Sequence, residues 1–233
     1  MDFKRSLKKI SLEEIINELV KLDKDINRFL SKTGYGCNNV QYENEDLTER
    51  FLYFQYLSVV DQLENVHQQL DSILDKVDIP DKNEKKRTTS NKKISLQEIT
   101  KGLIRLDKSI KRLLTKTGYD CDNIKYDSYK SNDKSLLVEC SSVINQLENI
   151  HMLLDYVLNP VIEEGYISLD ENGKYVLPSG KELINGSKCE ILCEVCGKNE
   201  WIYTLIEKDN EKYYATSLGS GTSIDGLKVR IRE

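Results

Sequence analysis

An α+β chain, with two helical hairpins building a four-helix bundle ahead of a small antiparallel β-barrel, is the fold class this sequence predicts. Three observations predict it. Residues 10–74 recur at 94–158 with a constant offset of 84 and no gap, and 30 of the 65 aligned positions are identical. Within each copy the apolar residues keep a helical period. After Gly165 that period gives way to short alternating runs separated by Gly, Asn and Lys. The expected divisions are a basic lead-in over 1–9, hairpin copies over 10–77 and 94–162, a flexible linker over 78–93, and the β-unit over 164–233.

The first helix of each copy opens on a complete start signal. Ser11 stands where a cap is needed, Glu14 three residues on can return a bond to it, and Ile10 and Ile15 take the staple positions. Ser95, Glu98, Ile94 and Ile99 repeat the set. Leu12, Ile15, Leu19, Leu22, Ile26 and Phe29 then alternate spacings of three and four, the coiled-coil seam that packs helices at shallow angles. Ile16, Leu30, Ile104 and Leu114 widen the stripe, so each helix should touch more than one neighbour. Gly34 and Gly118 follow the last periodic residues and suit a left-handed helix end.

The loops after those glycines carry Tyr35, Cys37 and Tyr42 in one copy and Tyr119, Cys121 and Tyr126 in the other. Two readings stand: the side chains fold back over the open end of the bundle, or the tyrosines form a partner-binding tip. The second helices read Leu52, Tyr56, Val59, Leu63, Val66, Leu70, Ile73, Val77 and, in the other copy, Leu136, Cys140, Val143, Leu147, Ile150, Leu154, Val157, Val161. One hairpin alone leaves part of its stripe wet. Two copies burying each other give the four-helix bundle, with pairing between chains as the alternative. The linker is polar and aperiodic and begins near Pro80, and its Lys85, Lys86 and Arg87 read as solvated charge or as a contact for an acidic partner.

Asn159-Pro160 should weaken or end the last helix. Tyr166–Leu169 and Lys174–Leu177, joined through Asn172-Gly173, read as a hairpin. Further strands are expected at Lys188–Val195, Trp201–Glu207, Lys212–Thr216 and Leu227–Ile231. Gly165-Tyr166-Ile167, Tyr175–Gly180, Glu200–Glu207, Tyr213-Tyr214 and Gly226–Ile231 together resemble an uncharacterised family of small SH3-like barrel domains, frequent in phages, plasmids and other mobile elements of Gram-positive bacteria. The resemblance covers 164–233 alone and rests on a strand pattern. It implies a barrel fold and a mobile-element setting, and carries no activity. The cysteine-bearing hairpin and the Leu218–Ser223 loop depart from it.

Composition narrows the function classes. The chain is 31% charged and 39% hydrophobic with a net charge of −5, and has no apolar run of membrane-spanning length, so a cytoplasmic protein without a membrane partner is expected. Residues 11–75 carry 5 basic and 13 acidic groups, a balance of −8, which opposes duplex DNA lying along the first hairpin. Cys193 and Cys196 have the spacing of half a zinc ribbon, with Cys189 nearby, but no second pair completes four ligands. His67 and His151 are the only histidines, and each shares a helix side with an Asn, a Glu and an Asp (Asp71, Asp155). Helix-flank hydrogen bonding is their default role, with a general base or a metal shared across the pseudo-twofold axis as the sharper reading. Trp201, Tyr203, Tyr213 and Tyr214 offer a platform for peptide or single-stranded nucleic acid. The expectation is therefore a non-enzymatic protein without a cofactor or metal that docks a host or phage protein, an inhibitor of a host-defence complex being one form of it. Its partner-binding residues would be Tyr35, Tyr42, Tyr119, Tyr126, Trp201, Tyr203 and Tyr214. Nucleic-acid binding through the barrel aromatics and the basic linker is the alternative.

Overall fold

The duplicated start signals become duplicated caps. The Ser11 N–H donates to Glu14 Oε2 at 2.9 Å while the Glu14 N–H donates to Ser11 Oγ at 3.1 Å, and Ser95 with Glu98 repeats both bonds at 3.0 and 3.3 Å. The structure, a computed structural model, describes residues 9–43, 45–77, 92–209 and 212–233. Residues 1–8 of the expected lead-in, and Lys85, Lys86 and Arg87 of the linker, lie outside the described residues.

In chain order the first part holds β1 (Ile10–Ser11), α1 (Leu12–Thr33), β2 (Val40–Gln41), α2 (Leu47–Lys76), β3 (Ile94–Ser95), α3 (Leu96–Thr117), β4 (Ile124–Lys125) and α4 (Ser131–Val157). Helices α1 and α3 end on Gly34 (φ 75°) and Gly118 (φ 70°), whose N–H groups reach back to the Leu30 and Leu114 carbonyls. Glycine is required at residue 34 twice over, because a Cβ there would also sit 2.4 Å from Asn39 Nδ2. Asp46 Oδ1 accepts from the Thr48 and Glu49 amides and so caps the start of α2. Helix α4 stops at Val157, short of the expected Val161, because Pro160 has no N–H and biases the residue before it away from helix.

Two compact units divide the described residues: one from Met1–Tyr42 with Phe54–Asp155, the other from Glu43–Tyr53 with Tyr156–Glu233. In the first, the α1 seam is buried together with its α3 equivalents Leu96, Ile99, Leu103, Leu106, Ile110 and Leu113, as are Tyr56, Val59, Leu63, Val66, Leu70 and Ile73 of α2 and Cys140, Val143, Leu147, Ile150 and Leu154 of α4, whereas Ile104, expected to widen the α3 stripe, is 39% exposed. Fully burying one such aliphatic side chain contributes about 1.5–3 kcal/mol relative to exposing it. The copies interlock reciprocally. β1, leading into the first copy, pairs in parallel with β4 in the second, while β2 in the first pairs with β3, leading into the second. Equivalent residues therefore exchange partners, as a pseudo-twofold relation demands. Asp25 and Ser109, equivalents 84 residues apart on α1 and α3, meet each other at 3.4 Å.

The second unit contains β5 (Val161–Tyr166), β6 (Ser168–Leu169), β7 (Tyr175–Val176), β8 (Glu182–Leu183), β9 (Lys188–Val195), β10 (Lys198–Asp209), β11 (Lys212–Ala215) and β12 (Lys228–Arg232). The expected β6–β7 hairpin forms around Gly173 at φ 75°. The strands make an antiparallel sheet in the order β11-β10-β9-β12-β5 and a small β6-β7-β8 sheet, and neither closes into a barrel. This corrects the SH3-like barrel. A barrel has one packed interior, whereas the central strands here are buried on both faces. Cys189, Ile191, Ile206, Val229 and Ile231 join Ile167, Tyr175, Leu177, Leu183 and Ile224 in one core. Glu190, Trp201 and Arg230 alternate onto the other face and are buried as well. The shape of a covered open sheet also accounts for β5, which the sequence pattern left to a helix end.

Candidate functional site

Of the expected partner-binding residues, the tyrosines divide by copy. Tyr35 and Tyr42 are half-buried, while Tyr119 and Tyr126 are 38% and 40% exposed, and Tyr129 in the same loop is 98% exposed. Sequence reading passed over Tyr129, whose equivalent in the first copy is Glu45. The cysteines of both loops fold inward: Cys37 and Cys121 are buried, each at positive φ. The thiols of both loops thus turn in, and the second copy's tyrosines turn out.

The aromatic platform does not assemble as an open surface. Trp201 is buried, with the Arg230 guanidinium 4.2 Å over its ring. Tyr203 packs against Tyr156 with ring centroids 5.0 Å apart, and the Tyr214 hydroxyl donates to Glu207. The three cysteines diverge along β9 and its turn: Cys189 is in the core, Cys193 is half-buried and Cys196 is exposed. Among the described residues they form no group able to hold an ion.

Beneath Trp201 lies a charged cluster that the sequence did not announce. Glu190 is fully buried on β9, between Tyr203 and Arg230 in register. One carboxylate oxygen accepts from Arg230 Nε and the other from Arg232 Nε at 2.5 Å. Arg232 Nη1 also donates to the Asn159 carbonyl at 2.9 Å, and both guanidinium groups lie near the Phe51 ring. Burial pulls Arg230 below its usual pKa, with Glu190 opposing that shift. Among the described residues the Nη2 atoms of both arginines are buried without a hydrogen-bond partner, and the Trp201 and Phe51 rings lie against the guanidinium groups beside the Glu190 carboxylate.

The histidines do not share one site, as a metal on the pseudo-twofold axis would need. Each is bonded to an aspartate on the other helix of its own hairpin: His67 Nδ1 to Asp23 Oδ1 at 2.6 Å, and His151 Nδ1 to Asp107 Oδ1 at 2.6 Å. Asp23 and Asp107 were missed because each follows a seam residue, where an acid reads as a solvated flank. The signal that could have found them is their identity across the copies, in the repeated Leu22-Asp23-Lys24 and Leu106-Asp107-Lys108. A carboxylate on Nδ1 selects the tautomer that carries its hydrogen there and turns Nε2 outward as the coordinating nitrogen. In the first copy Asp71 Oδ2 lies 3.8 Å from that nitrogen.

No helix among the described residues is long and apolar enough to cross a membrane. No family model, curated protein or solved structure matches the chain.

Proposed function

We propose that this is a non-enzymatic, cytoplasmic protein-docking module whose two interlocked hairpins form a four-helix bundle and whose second copy presents the docking tip. The observation that carries the reading is the α3–α4 loop, where Tyr119, Tyr126 and Tyr129 all stand exposed. Tyrosine offers large apolar area with a polar end and little side-chain entropy to lose, which is why it recurs at interface hot spots. Tyr129 stands almost wholly in water at 98% exposure, and Tyr119 and Tyr126 add partly covered rings beside it. The capped ends and buried seams supply the rigid frame that makes such a tip specific.

The resemblance of the C-terminal strands to mobile-element domains points to a host or phage protein as the partner. The full chain, immobilised and exposed to lysate of a Gram-positive host, is expected to retain one protein. The Tyr119→Ser, Tyr126→Ser, Tyr129→Ser triple variant, shown by circular dichroism and thermal midpoint to keep its fold, is expected to lose it. Retention unchanged in that variant, or salt-steep binding of oligonucleotides in place of protein, refutes the reading.

A further inference from the structure

Asp23, His67 and Asp71 recur as Asp107, His151 and Asp155, the same residue types at the same repeat positions. In the first copy the three converge, with one ligand-type atom from each lying within 4.8 Å of the others. Residues four apart project from one side of a helix, so His67 and Asp71 stand side by side on α2. Asp23 reaches across from α1 and holds the far side of the ring.

The 3.8 Å between His67 Nε2 and Asp71 Oδ2 is too long for a hydrogen bond. It is close to the separation of two ligands of one ion: with bonds of about 2.0–2.1 Å, neighbouring tetrahedral ligands lie about 3.3 Å apart. The Asp71 side chain is 53% exposed, so the pair meets water on that side. His67 itself is buried.

We propose that His67 Nε2 and the Asp71 carboxylate bind one divalent transition-metal ion of the zinc class, with Asp23 as the residue that positions the imidazole. The donor set selects the class. Imidazole beside a carboxylate suits zinc and its neighbours, whereas magnesium and calcium take oxygen ligands. Two protein ligands leave the other positions to water on the side where Asp71 meets solvent. Without a metal the His67–Asp71 contact is an i,i+4 ion pair on α2, and zinc titration separates that role from ligation. Among the described residues the second copy offers no such cluster, although its own Nδ1 bond is as short. It serves as the internal control. The proposal is independent of the docking tip.

The chain's only two histidines allow a direct test by nitrogen-15 NMR of the imidazole rings of the full protein during titration with zinc chloride. The His67 Nε2 resonance is expected to shift and saturate while its Nδ1 keeps its hydrogen and His151 stays unmoved. Asp71→Asn should abolish the response and Asp155→Asn should leave it intact. Asp23→Asn should weaken it about 10–100-fold and alter the tautomer signature, as loss of a positioning carboxylate does. Still His67 signals at excess zinc, a response surviving Asp71→Asn, or an equal response at His151 would each overturn the site. Zinc held by the exposed Cys196 and its neighbour Cys193 leaves the imidazoles unmoved, and so also counts against it.

Discussion

His151 meets Asp107 at 2.6 Å through Nδ1, the same atom and the same distance by which His67 meets Asp23 in the other copy. The bond joins the two helices of each hairpin at a point where histidine and aspartate are both largely withdrawn from water. Removing one partner leaves the other's polar atom buried and unsatisfied, which costs about 1–3 kcal/mol. Asp107→Ala should lose that amount in urea unfolding. Asp71→Asn, at an exposed carboxylate, should stay within about 0.5 kcal/mol of wild type. Equal effects of the two would show that the buried bond contributes nothing particular.

Glu190 makes the stronger case for a polar group whose removal is felt. Two buried guanidinium groups share its carboxylate, so Glu190→Gln leaves their charge uncompensated and should cost about 3–5 kcal/mol. Trp201 is the chain's only tryptophan and lies under Arg230, so its fluorescence reports this cluster during the unfolding titration. Replacing all three charged residues with apolar ones of similar volume (Glu190→Leu, Arg230→Met, Arg232→Met) should recover most of the loss. A near-neutral Glu190→Gln would mean that water reaches the arginines.

These two sites mark what a single sequence does and does not disclose. Periodicity and caps are local, and Ser11, Gly34 and the α1 seam stand where their spacing put them. The Lys188–Val195 strand was likewise legible from its flanking breakers. The sheet's covered second face was not, because Glu190, Arg230 and Arg232 alternate with apolar residues as solvent-facing charges do. Only the cover supplied by Phe51 and the β9–β12 register reverses that reading. The Asp23–His67 bond spans 44 residues and two helices, beyond any local pattern. The reciprocal β1–β4 and β2–β3 bridges were hidden because two-residue pairings leave no period.

Gly102, in the interior of α3, sets two familiar effects against each other. Alanine there gains about 1 kcal/mol of helix propensity. Its Cβ would lie 2.9 Å from Phe29 Cε2, and the Phe29 ring is buried, so overpacking of about 1–3 kcal/mol opposes the gain. Gly102→Ala should therefore be net destabilising by about 1 kcal/mol in thermal or urea unfolding. Adding Phe29→Leu should reverse the sign, because the ring edge that collides is removed. The equivalent positions in the repeat are Glu18 and Leu113, a larger residue facing a smaller one in sequence. A Gly102→Ala variant more stable than wild type would place the Phe29 ring elsewhere.

The thiols give a prediction in which the sign of the pH effect matters. Burial pushes Cys37, Cys140 and Cys189 up to about 12, above the usual thiol range, and raises Cys121 and Cys193 as well. Thiolate is the nucleophile, so alkylation at pH 8 should label exposed Cys196 first and half-buried Cys193 more slowly. The other four should react only as the chain unfolds, which peptide mass spectrometry reads directly. A folded pKa above the unfolded one means that each buried thiol's contribution is fully present below pH 9 and disappears as pH rises toward 12. Cys140→Ala starts less stable because it leaves a small cavity. Between pH 8 and pH 11 it should then lose about 2 kcal/mol less than wild type, since it has no thiol there to ionise. Parallel losses in the two proteins over that window would show that Cys140 ionises in the folded chain as readily as in the unfolded one, and that the seam admits water.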